Sequence, residues 1–119
     1  MKTTIRRLLL ANRIDCTEQQ ISDLCALLKA IRAVFGFDIE DLKSAKRGEI
    51  LSYARRVWFW FAKDILSGIS AEKRAKLINK HQTLESHCIK TFENDMIFNA
   101  KFKAYAERIN NHLKFKLKI

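Results

Sequence analysis

From Ile21 onward, apolar residues recur every three or four positions: Ile21, Leu24, Leu28, Ile31 and Phe35. That period marks the buried stripe of a helix. Just before it, Thr17-Glu18-Gln19-Gln20 has the S/T-x-x-E/Q form of a capping box. The pattern predicts a helix over Thr17–Phe35 that stops at Gly36, a residue that takes the left-handed turn at little cost. Residues 1–16 read as an N-terminal arm or a shorter helix. Phe37–Leu42 reads as a turn that buries Ile39 and Leu42. Ser44 stands where it would cap a helix over Lys46–Leu66, which ends at Ser67-Gly68. This helix contains Val57-Trp58-Phe59-Trp60-Phe61-Ala62, too continuous an apolar run for a half-exposed helix. It is expected at the centre of the molecule, its aromatics packing the core and not lining a cofactor site.

The second half repeats the helical period in shorter pieces. Ser70 opens a short helix over Ala71–Ile78, a tight break follows at Asn79-Lys80, and a further helix runs over Gln82–Asn94 with Leu84, Cys88, Ile89 and Phe92 apolar. Short helix, brief turn and second helix is the order of a helix-turn-helix. A last helix over Asn99–Leu113 buries Phe102, Tyr105, Ala106 and Ile109. Leu113, Phe115, Leu117 and Ile119 then alternate with Lys114, Lys116 and Lys118, which is strand spacing. The chain has no proline and three glycines, so little interrupts a helix. The expectation is an all-α single domain of five to six helices. It comprises the arm or short helix 1–16, a helical core 17–112 and a basic/apolar tail 113–119 that is short, β-like and open to pairing. One core is to hold Trp58, Phe61, Leu84, Ile89, Phe92, Phe102 and Tyr105.

Charge narrows the function. The net charge is +10, but residues 1–41 are balanced, residues 42–80 sum to +7 and residues 81–119 to +3. A positive field concentrated in the middle of the chain attracts phosphate backbones. The apolar runs are too short for a membrane span or a signal-peptide core. Three widely spaced cysteines, Cys16, Cys25 and Cys88, read as reduced thiols of a cytoplasmic protein. His81, His87 and Cys88 lack the paired short spacings of a zinc site, and no serine or cysteine sits in a nucleophile motif. Neither metal, cofactor nor enzymatic activity is therefore expected.

The order of phrases resembles the C-terminal DNA-binding domain of the bacterial chromosomal replication initiator DnaA, including its stand-alone copies in phages and mobile elements. Phe35-Gly36-Phe37-Asp38-Ile39-Glu40-Asp41-Leu42-Lys43-Ser44-Ala45-Lys46-Arg47 is similar to that family's phrase F-G-v-x-x-x-D-L-x-S-x-x-R. Ala54-Arg55-Arg56-Val57-Trp58-Phe59-Trp60-Phe61-Ala62 is similar to its A-R-x-v-x-x-y-L-A. His81-Gln82-Thr83-Leu84 stands at its H-[ST]-T-V signature, and Lys101-Phe102-Lys103-Ala104-Tyr105-Ala106-Glu107-Arg108-Ile109 at its late E-F-x-x-x-Y-x-x-I, with Lys101 in place of the glutamate and Tyr105 one position ahead of the tyrosine. Gln82 and Leu84 depart from the signature, and the glycines of the short helix and turn are replaced around Ala75, Leu77 and Ile78. The nucleotide-binding motor is absent, with no G-x-x-x-x-G-K-[ST].

The resemblance implies duplex DNA as partner and a place in replication or transcription control. It puts a phosphate- or groove-contacting arginine at Arg55. A recognition helix sets its first side chains against base edges, here Lys80, His81, Gln82 and Thr83. The alternative role for His81 is a structural one at the helix N-terminus. Flanking cations Lys46, Arg47, Arg55, Lys73, Arg74 and Lys76 are expected at phosphates. The competing expectation is a non-catalytic interaction protein that keeps the helices, loses the groove contacts and meets a protein partner or a second copy through its basic face or through Leu113–Ile119. Single-stranded RNA binding would need exposed aromatics, and here they read as buried.

Overall fold

With nothing to break them, most segments do become helix. The computed structural model describes residues 1–113. Among these it forms α1 (Lys2–Ala11), α2 (Glu18–Phe35), α3 (Ile39–Lys43), α4 (Glu49–Ile65), α5 (Ala71–Lys76), α6 (Gln82–Phe98) and α7 (Ala100–His112). The fold is all-α, as the periodicity predicted, but with seven helices rather than five or six. The expected β-like tail lies, beyond Leu113, outside the described residues.

The extra helices arise at short segments closed by local hydrogen bonds. Residues 1–16 hold α1, which ends with Arg13 in the left-handed region (φ 54). There the Arg13 and Ile14 amides donate back to Leu10 and Leu9, a Schellman closure. Phe37–Leu42 is not a plain turn. Asp38 and Asp41 each accept from the other's backbone amide, at 3.1 and 3.0 Å, and that reciprocal cap starts α3. The cap predicted at Thr17 is present in the same form, with Gln20 as its partner. Ser44 does not cap α4. It closes α3, its hydroxyl donating to the Asp41 carbonyl at 2.7 Å, and α4 begins only after Gly48. Lys46 and Arg47 therefore lie on a loop instead of a helix.

α4 is the central helix and packs on α2, α3, α5 and α6. Its Trp58, Phe59 and Phe61 are fully buried, and Trp60 stacks on Phe92 with ring centroids 4.2 Å apart. Phe92 meets Phe102 edge-on at 5.2 Å, tying α6 to α7. Emptying one such aromatic site costs about 3–5 kcal/mol. One hydrophobic cluster holds Trp58, Phe61, Phe92 and Phe102, while Leu84 and Tyr105 pack at its margin and Ile89 is half-buried. The shift has a cause on α6: the face turned inward is Glu85, Cys88 and Phe92. A buried carboxylate takes the place the apolar pattern assigned to its neighbour Leu84.

Candidate nucleic-acid interface

The segment Ser70–Phe98 holds α5, a turn over Leu77–His81 and α6. Ser70 Oγ accepts from the Lys73 amide at 3.3 Å and opens α5. α5 closes through Lys80 N–H to the Ala75 carbonyl and Asn79 N–H to the Lys76 carbonyl, both 2.9 Å. Asn79 holds the left-handed position that this closure needs (φ 57). Asparagine is the side chain that visits that region most readily, so the turn forms without glycine. Leu77 and Ile78 point inward and are buried, anchoring the turn.

His81 is the N-cap of α6. Its Nδ1 accepts from the Thr83 amide at 3.1 Å and lies 2.8 Å from Thr83 Oγ1. His81 thus serves the helix end, although it remains exposed, as do Gln82 and Thr83 of the first turn. One turn on, Glu85 is 2% exposed and accepts two hydrogen bonds from Arg74, Nε to Oε2 at 3.0 Å and Nη2 to Oε1 at 2.6 Å. Arg74 also donates to the Ile69 carbonyl. A bidentate buried pair of this kind fixes geometry as well as charge. It locks α5 to α6.

The six expected phosphate-contacting residues divide into two groups. Arg74, just described, and Arg55 have their donors engaged within the protein. Arg55 gives four hydrogen bonds to backbone carbonyls: Leu42 at 3.0 Å, Lys46 at 2.9 Å, Asp41 at 3.3 Å and Ser44 at 2.7 Å. Burial pulls its guanidinium below the usual arginine range, with Cys88 nearby acting slightly against this. Lys46, Arg47, Lys73 and Lys76 form the second group, all exposed. Lys76 has a carboxylate partner in Glu72, 3.3 Å away on the solvent side. Lys46, Arg47 and Lys73 have none among the described residues.

Lys80 joins the two regions. Its Nζ donates to the Ser44 carbonyl at 2.6 Å, 36 positions away in sequence. Burial, and then the neighbouring Arg55 charge, lowers its pKa. Lys76, His81 and Gln82 share a depression of about 220 Å³ with Glu72 and Lys80. Arg47 and Gly48 share another of about 260 Å³ with Arg55, Leu84 of the first turn of α6, and Cys88. The loop cations and the start of α6 therefore occupy adjoining ground.

No protein-family model, curated protein or solved structure matches the chain. The site has to be read from its own residues.

Three of its features lie outside the sequence reading. The Ser44 carbonyl as a meeting point of two cations had no sequence signal, because a backbone oxygen carries none. Glu85 had one: Glu85, Cys88 and Phe92 follow the i, i+3, i+7 spacing of a buried face. The third is Arg56, beside Arg55, which reaches Asp95 of α6 and lies over the Tyr53 and Phe102 rings, 5.5 and 5.4 Å from their centroids. Its side chain is largely buried, so the α4–α6 packing is held partly by an ion pair.

Proposed function

We propose that the chain is a duplex-DNA-binding module in which α5, the Leu77–His81 turn and α6 act as a helix-turn-helix. The observation that carries this reading is the Lys80–Ser44 bond. It brings the Lys46–Arg47 loop beside the exposed first turn of α6, so that cations flank a helix end offering polar side chains. In this reading Gln82 and Thr83 meet base edges, where glutamine suits adenine and threonine a base edge or the thymine methyl. Lys46, Arg47, Lys73 and Lys76 meet phosphates. His81, Arg55 and Arg74 hold the reading surface in shape. The resemblance to the DNA-binding domain of DnaA points the same way, and with it a role in replication or transcription control.

A second reading, an interaction protein, is favoured by Ile97 and Phe98, which are 75% and 78% exposed at the end of α6. They lie about 22–24 Å along the helix from Gln82 at 1.5 Å per residue, so this patch is separate from the basic surface.

Competition between a selected duplex and random duplexes separates the readings. Gln82→Ala should cost about 1–3 kcal/mol on the selected site and relax the preference there. Arg47→Ala should weaken binding to all duplexes alike and reduce the salt slope by about one unit. If both variants bind every duplex as the parent does, the surface is not a DNA reader.

A further inference from the structure

The Ser44 carbonyl accepts from two cations at once, Arg55 Nη2 at 2.7 Å and Lys80 Nζ at 2.6 Å. No carboxylate is paired with either among the described residues. Two like charges on one oxygen repel, so the arrangement persists only where other groups offset it. Here the offset comes from carbonyl oxygens: Asp41 and Leu42 at the end of α3, Ser44 itself, and Lys46 in the loop. These include the electronegative end of a helix, where cations are favoured. Arg55 thus gathers the end of α3 and the loop, and Lys80 ties that loop to the residue before the N-cap of α6. The Lys46 amide adds a 3.3 Å bond to Ser44 Oγ. One of the three Lys80 ammonium donors is thereby taken by a backbone oxygen within the protein.

We propose that Lys80 is a positioning residue, not a base-reading one: it fixes the Lys46–Arg47 loop in register with the first turn of α6, so that loop and helix engage a duplex as one unit. The part about engagement rests on the DNA-binding reading above. The part about the loop does not.

The tests use the full chain with Lys80→Met, which keeps the stem and removes the ammonium, and Lys80→Arg, which keeps a donor. Nitrogen-15 relaxation of the DNA-free protein reports the loop directly. Order parameters over residues 44–48 should fall from about 0.85 toward 0.6 or below in Lys80→Met, stay high in α2 and α4, and recover in Lys80→Arg. In duplex binding, Lys80→Met and Arg47→Ala should be non-additive by a factor of about three or more, with the preferred sequence unchanged. If the loop stays rigid in Lys80→Met and the preferred sequence changes instead, Lys80 reads a base and the proposal is overturned. Additive effects in duplex binding would overturn the coupling of loop to helix. If the loop loosens while no variant alters duplex binding, the positioning role stands and the DNA-binding reading falls.

Discussion

Glu85→Leu removes the carboxylate that holds Arg74. The pair is buried on both sides, with side chains 11% and 3% exposed for Arg74 and Glu85. Its loss leaves a guanidinium in low-dielectric surroundings with only the Ile69 carbonyl as a partner. Breaking one side of a buried pair costs about 3–5 kcal/mol, most of it the desolvation of the charge left behind. For a chain of this size about 4 °C of melting temperature accompanies each kcal/mol, so the variant should melt roughly 12–20 °C below the parent. α5 has six residues, too few to stand as a helix alone, and should be the first element to loosen. The double variant Arg74→Met, Glu85→Leu removes both charges and fills the space with apolar atoms. It should recover to within about 2 kcal/mol of the parent, since apolar replacement of a buried pair is often neutral or better. Thermal and urea unfolding followed by circular dichroism measure both. A single variant that melts within about 2 °C of the parent would refute the reasoning, as would a double variant no more stable than the single.

Asn79→Val should destabilise by about 1–2 kcal/mol, since a β-branched side chain at positive φ meets the following carbonyl, whereas Asn79→Gly should change stability by less; urea midpoints at constant slope decide it. Burial pushes the Cys88 thiol up to about 11 from an ordinary 9.0, against the nearby Arg56 and Arg55 charges. The protonated form is the one the fold favours, so its contribution to stability is full below pH 9 and is lost as pH rises toward 11. Unfolding midpoints should therefore fall over that window in the parent and fall less in Cys88→Ala, and Cys88 should resist alkylation at pH 8.

The parts of the fold that follow a period or a cap were legible in the sequence. Thr17 and Gln20 announced the start of α2, Gly36 its end, and the run Val57–Ala62 the buried helix at the centre. What escaped were features made by groups without a period. α3 depends on two aspartates capping each other across three residues, in a stretch whose apolar positions alone read as a turn. The start of α4 was placed too early because Ser44 has the chemistry of a cap at either end of a helix. Its hydroxyl serves the end of α3. In the candidate site, the exposed positions Gln82, Thr83, Lys46, Arg47, Lys73 and Lys76 follow from spacing and charge. The inward turn of Arg55 and Arg74 does not, because an arginine's direction depends on which carbonyls and carboxylates the tertiary fold brings near. The turn after α5 needs no glycine, because Asn79 takes its left-handed position (φ 57).

Duplex binding measured against salt tests the DNA-binding reading most directly. Four exposed cations, Lys46, Arg47, Lys73 and Lys76, flank the start of α6 or lie on the helix before it. If each neutralises one phosphate, log Kobs against log salt should fall with a slope between about −3 and −4. That is a loss of roughly 100-fold between 50 and 200 mM salt. A single-stranded control of the same length should bind less tightly and with a shallower slope. Binding that is absent at 50 mM, or a slope shallower than about −1, would contradict a phosphate-tracking surface.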